Sequence, residues 1–115
     1  MSDSEATPRT IWELDSTDPK LAEDVRNGLR QVVDPEIGLN IVELGLIREV
    51  RMAEDELQVR MILTTPFCPY GPALLEMART KAEEAAGKPA RIELGMEMWE
   101  PSFMEEGAGA AWGLF

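Results

Sequence analysis

Apolar positions along the chain change period from segment to segment, and each change marks an element. Leu21, Val25, Leu29 and Val32 recur at spacings of four and three, which draws one stripe along a helix. Asp18-Pro19 supplies its start, with Asp18 as the capping residue and Pro19 in the first helical position, so a helix over about 19–33 is predicted. Asn27-Gly28 inside it costs about 1 kcal/mol of helix propensity. Pro35 ends the helix, because the residue before a proline is driven out of the helical region, and Gly38 and Gly45 make 34–45 a structured loop. Residues 46–52 then read as a strand. After a turn at Ala53-Glu54-Asp55, Leu57, Val59, Met61 and Leu63 alternate with Glu56, Gln58, Arg60 and Ile62, the period-two pattern of a second strand in a hairpin.

Pro72 begins a second helix whose face is Leu74, Leu75, Ala78, Ala82 and Ala85 and which stops at Gly87. Ile92, Leu94, Met96 and Met98 alternate with Arg91, Glu93, Gly95 and Glu97 to predict a third strand over 91–98. Met61, Met77, Met96 and Met98 are assigned to core faces. The order is helix-strand-strand-helix-strand plus a C-terminal tail. This is an α+β fold in which two helices cover one face of a small three-stranded mixed sheet. Residues 1–16 form an N-terminal arm, 17–103 the domain, and 104–115 an apolar tail expected to pack on it. Ile11, Trp12 and Leu14 are too apolar for a solvated arm, and the IWEL stretch is expected to pack back on the domain.

Composition narrows the chemistry. The chain has 115 residues, enough for one core, and no apolar run near the roughly 18 residues that a membrane span needs. The polar, acidic N-terminus shows no secretory signal, and a lone cysteine fits a reducing compartment, so the cytoplasm is expected. Twenty-two acidic against 11 basic residues leave a net charge of −11, which disfavours nucleic acid and anionic membranes as partners. There is no histidine, which removes the usual general base and every Cys-His or Ser-His-Asp arrangement. The expectation is a protein that is not an enzyme.

Cys68 is the single thiol, set in Thr64-Thr65-Pro66-Phe67-Cys68-Pro69-Tyr70-Gly71-Pro72 between a strand and a helix. Three prolines restrict the backbone around it. Read from the residues alone, it is either a small apolar residue or a thiolate favoured by the following helix N-terminus and opposed by Asp34, Glu36 or Glu43. Those three carboxylates either cap an irregular loop or help to bind metal and tune the thiol. Thr64 and Thr65 satisfy loop hydrogen bonds, and a hydroxyl near the sulfur could donate to it.

Three segments resemble one family. Asp34-Pro35-Glu36-Ile37, continuing through Asn40-Ile41-Val42-Glu43-Leu44-Gly45-Leu46, is similar to the acidic signature of the iron-sulfur assembly domain found in SufT-like and PaaD-like proteins and ahead of Mrp-type cluster carriers. Leu63-Thr64-Thr65-Pro66-Phe67-Cys68-Pro69 resembles its threonine-rich strand end with a Cys-Pro pair, and Trp99-Glu100-Pro101 its element after the last strand. The chain lacks the second cysteine of a PaaD-like C-terminal metal site and the phosphate loop of the Mrp type. The resemblance implies an iron-sulfur assembly or transfer factor, with Cys68 as the transient cluster, metal or sulfur contact and Asp34, Glu36, Glu43, Thr64 and Thr65 shaping its pocket. One thiolate is short of the about four ligands a cluster takes, so a labile cluster would be shared with a second copy in a homodimer or with a carrier or client protein. The competing readings are an acidic adaptor that recruits clients around a structural cysteine, and an accessory subunit of a multicomponent oxygenase.

Overall fold

The computed structural model describes residues 10–65 and 69–105. Among the described residues two helices come first, α1 (Glu13–Thr17) and α2 (Pro19–Leu29), followed by strands β1 (Ile47–Ala53) and β2 (Glu56–Met61), helix α3 (Gly71–Ala86), strand β3 (Ala90–Leu94) and a 3₁₀ turn at Pro101–Phe103. The sheet order is β1-β2-β3, with β1 antiparallel and β3 parallel to β2. This is the expected mixed three-stranded sheet. The parallel pairing requires a crossover, and α3 makes it.

Asp18 caps α2 by accepting from the Leu21 N–H at 3.2 Å, with Pro19 in the first turn as predicted. The helix ends at Leu29, not at 33. Val32 is nonetheless buried, because the chain leaves α2 in a tight turn in which the Val32 N–H donates to the Leu29 carbonyl. Gly28 is a close-contact residue: a Cβ there would lie 3.0 Å from the Ala85 Cβ of α3, so its absence lets the two helices approach. The hairpin between β1 and β2 turns on Glu54 and Asp55, both at positive φ (54° and 68°), as a two-residue turn with that hand demands.

The core is built from the helix-facing sides of the strands, Val50, Leu57, Val59 and Met61, against Val25, Leu29, Leu74, Ala78 and Ala82. The third strand departs from its prediction. Regular pairing ends at Leu94, and three of the four methionines assigned to the core lie outside it: Met77 is 44% exposed, Met98 79% and Met96 94%, while Met61 is fully buried. The alternation holds only within Ala90–Leu94, and the predicted continuation over 95–98 forms no regular strand.

The arm is tied down by one buried cation. Arg26 makes a two-pronged ion pair with Asp15 (3.0 Å at each nitrogen), donates to the Thr10 carbonyl and stacks on the Trp12 ring at 3.9 Å. Trp12 and Leu14 are buried, and the Trp12 indole N–H donates to the Ile47 carbonyl, whereas Ile11 points to solvent. Residues 1–9 and 106–115, which include most of the apolar tail, lie outside the described residues.

Candidate functional site

The acidic signature forms two consecutive turns that close on their own side chains. The Asp34 N–H donates to the Leu39 carbonyl, the Asp34 carbonyl accepts from Ile37 and Gly38, and the Asp34 carboxylate accepts from the Glu36 N–H at 2.9 Å. Asp34 is only 2% exposed, so its bonds replace water that burial removes. Gly38 takes φ +86°, the left-handed conformation that closes the first turn. Asn40 opens the second turn: its side-chain oxygen accepts from the N–H groups of Val42 (3.0 Å) and Glu43 (2.8 Å), and the Glu43 carboxylate returns to the Asn40 N–H at 3.1 Å. This is the reciprocal arrangement of a capping box, Asn40-x-x-Glu43. Glu36 contributes a backbone donor to the first turn, and its side chain is exposed.

The segment after β3 returns to hold this loop. Trp99 donates its indole N–H to the Leu44 carbonyl at 2.6 Å, and the Glu105 N–H donates to the Glu43 carbonyl at 2.9 Å. Gly45, at φ +76°, lies so close to this segment that a Cβ would fall 2.0 Å from the Phe103 carbonyl oxygen. Arg48 donates to the Gly45 carbonyl and stacks over the Phe103 ring at 3.8 Å, and burial pushes its pKa down from the usual arginine value. Arg30 and Glu105 form a two-pronged pair at 2.9 and 3.0 Å, whose hydrogen bond raises the Arg30 pKa. Both guanidinium groups remain charged at neutral pH. Two segments of the sequence signature, 34–46 and 99–101, thus meet in space.

The threonine segment leaves from the same place. The Ile62 N–H, one residue past β2, donates to the Leu46 carbonyl at 2.8 Å, which joins the end of the signature loop to the strand end leading to Thr64 and Thr65. Both threonines are half-buried. On the far side, Gly71 opens α3 against Leu63, with a built Cβ only 2.9 Å from the Leu63 Cδ1. Cys68, together with Pro66 and Phe67, lies outside the described residues, so the structure joins the 43–46 turn to Trp99 and, through Ile62, to the strand end that leads to Thr64, keeps Asp34 and Glu36 in the preceding turn, and leaves the thiol itself as an expectation from sequence. Among the described residues no group of three or more His, Cys, Asp or Glu side chains could hold a metal ion.

Sequence reasoning missed Asn40, Arg30, Arg48 and Glu105. Asn40 had a signal, since Asn-x-x-Glu is legible as a capping pair. The others had none: Arg30 and Glu105 are brought together from opposite ends of the domain only by the fold.

Comparison with known proteins assigns this architecture. The family described as iron-sulfur cluster assembly protein matches residues 22–93. An Fe-S protein maturation auxiliary factor of Porphyromonas gingivalis is 40% identical over 89 residues, covering 75% of this chain and 85% of that protein. The Fe-S protein maturation auxiliary factor YitW of Bacillus subtilis is 35% identical over 88 residues, covering 75% and 83%. A crystal structure of the DUF59 domain from Bacillus anthracis shares the fold with a TM-score of 0.76 at 21% identity, over 87% of this chain and 98% of that one. The chain therefore belongs to the iron-sulfur cluster assembly protein family, whose match takes in the signature loop, the threonine strand end and the Cys-Pro pair.

Proposed function

We propose that this protein is a non-enzymatic, cytoplasmic maturation factor for iron-sulfur proteins, in which Cys68 contacts a cluster or its sulfur during transfer to a client. The observation that carries the reading is membership of the assembly family over residues 22–93, the span that holds Asp34, Glu36, Glu43, Thr64, Thr65 and Cys68. The Ile62–Leu46 hydrogen bond supports it, because it couples the signature loop to the strand that runs on in sequence toward the thiol. In this reading the loop is a scaffold: Asp34 and Glu43 spend their carboxylates on backbone N–H groups and fix the two turns of 34–46. The cluster is cargo. A single cysteine per chain supplies one of about four ligands, so the cargo is held jointly with a second copy, a carrier or a client.

Anaerobic reconstitution of the full chain with iron and sulfide tests the assignment. The wild type is expected to develop iron-sulfur absorption at about half a cluster per chain or less and to pass it to an apo-ferredoxin, and Cys68→Ser is expected to lose both. Equal cluster binding and transfer by Cys68→Ser would overturn the role of the thiol. Client maturation that survives the same substitution in cells would point instead to the adaptor reading.

A further inference from the structure

We infer that Met96 and Met98 form a reversible oxidation site, in which hydroperoxides convert both thioethers to sulfoxides without disturbing the fold and methionine sulfoxide reductases restore them. The site stands on its own observations and does not depend on what Cys68 does.

Exposure sorts the described methionines. Met61 is fully buried and Met104 is 6% exposed, Met52 is half-buried and Met77 is 44% exposed, and Met98 and Met96 reach 79% and 94%. Among the described residues no other large apolar side chain is as exposed as these two. Oxidation of a thioether follows access to its sulfur, so Met96 and Met98 react first.

The local backbone lets the oxygen be added without loss of packing. Residues 95–98 belong to no regular element, yet both ends of the stretch are tied: the Gly95 N–H donates to the Met61 carbonyl at 2.8 Å, and the Trp99 indole N–H donates to the Leu44 carbonyl at 2.6 Å. Between the two methionines, Glu97 is held by Arg60 at 2.9 Å. These holding contacts use backbone, indole and charged groups, and neither sulfur takes part in them. A sulfoxide at Met96 or Met98 therefore puts its polar oxygen in water, whereas one at Met61 would put it in the packed core.

The forward step needs only the hydroperoxide. A sulfur lone pair attacks the outer peroxide oxygen, the S–O bond forms as the O–O bond breaks, and the leaving alkoxide or hydroxide takes up a proton to give an alcohol or water. Sulfur loses two electrons and the peroxide gains them. In the return step a reductase thiol attacks the sulfoxide sulfur, the oxygen leaves as water, and a second thiol closes a disulfide, so a dithiol is oxidised as the thioether is recovered. Each sulfur gives two epimers, and each epimer has its own reductase. An irregular, exposed stretch is the kind of backbone that enters an enzyme's cleft.

Treatment of the full chain with hydrogen peroxide, followed by peptide mass spectrometry with each sulfoxide localised by fragmentation, tests the site. Met96 and Met98 are expected to oxidise at least about tenfold faster than Met61 and Met104, with Met77 between them. The doubly oxidised chain is expected to keep the far-ultraviolet circular dichroism and the unfolding midpoint of the untreated one. The two epimer-specific reductases, with dithiothreitol and the native oxidised chain, are expected to return both residues to methionine. Met96→Leu combined with Met98→Leu is expected to remove the two fast oxidations and to leave the rate at Met77 unchanged. Oxidation of Met96 and Met98 no faster than that of Met61 would overturn the inference, since it would mean that the sulfurs are covered in solution. So would a fold lost when these two residues are oxidised, or sulfoxides that the reductases reach only after denaturation.

Discussion

β2 and the stretch that begins with β3 carry the same written pattern and meet opposite fates. Leu57, Val59 and Met61 in β2 are fully buried in the core, whereas Ile92, Leu94, Met96 and Met98 run from half-buried to almost wholly exposed. Alternation reports that successive residues point to opposite sides of a sheet, and it reports this correctly in both strands. It carries no information on whether anything lies over that side. β2 is central, with a strand on each flank, while β3 is an edge and the stretch after Leu94 leaves the regular sheet. The exposed part of this stretch is also bounded: Glu83 of α3 holds its beginning at the Ala90 N–H, and Trp99 to Glu105 anchor its end on the signature loop.

The largest expected effect contrasts one methionine with another. Met61→Ala opens a cavity in a packed centre and is expected to cost about 2–5 kcal/mol in denaturant unfolding, while Met96→Ala is expected to stay within about 0.5 kcal/mol. Equal losses would mean that Met96 is covered in solution.

The anchored end is sharpened by two glycines with similar φ, +76° at Gly45 and +86° at Gly38. Gly45→Ala meets both a left-handed conformation and the Phe103 carbonyl at 2.0 Å, so a loss of at least about 2 kcal/mol is expected, with altered Trp99 fluorescence as the clamp shifts. Gly38→Ala has open space around the added methyl and carries only the conformational cost, about 1 kcal/mol. Similar losses at the two sites would show that the returning segment does not press on the loop.

The smallest effect lies at the other boundary and depends on pH. The Glu83 carboxyl is held below its ordinary value of 4.5, first by the Ala90 N–H and then by Arg79. Because its folded pKa lies below the unfolded one, its contribution is fully present above about pH 4.5 and is lost as the pH falls through the folded value. Glu83→Gln is therefore expected to flatten the acid limb of the stability profile slightly and to leave neutral stability little changed, as read by unfolding midpoints across the acid range.

Much of the fold was legible because its signals are local. The Asp18-Pro19 start, the Gly87 stop and a short hairpin turn follow from a few neighbouring residues; the structure has the first two where expected and narrows the turn from Ala53-Glu54-Asp55 to Glu54-Asp55. The helix overshoot to 33 came from reading Val32 as one more turn of the apolar stripe, when a tight turn after Leu29 serves equally well to bury it. The candidate site was legible in part. Asp34-x-Glu36 and Asn40-x-x-Glu43 could be read as loop chemistry, and their backbone bonds are those of capping groups. Arg30 to Glu105 and Trp99 to Leu44 could not, since partners 75 and 55 residues apart leave no periodic trace.

By itself the sequence determined which side of each strand and helix a residue faces, where the chain turns, and that each chain supplies one thiol and no imidazole. These follow from bond geometry over two to four residues and from counting. Only the tertiary structure decided which faces are covered among the described residues, that β3 is an edge strand, and that the segment after it folds back onto the acidic loop. Those outcomes depend on contacts between residues far apart in the chain, whose loop-closure entropy only the assembled core offsets.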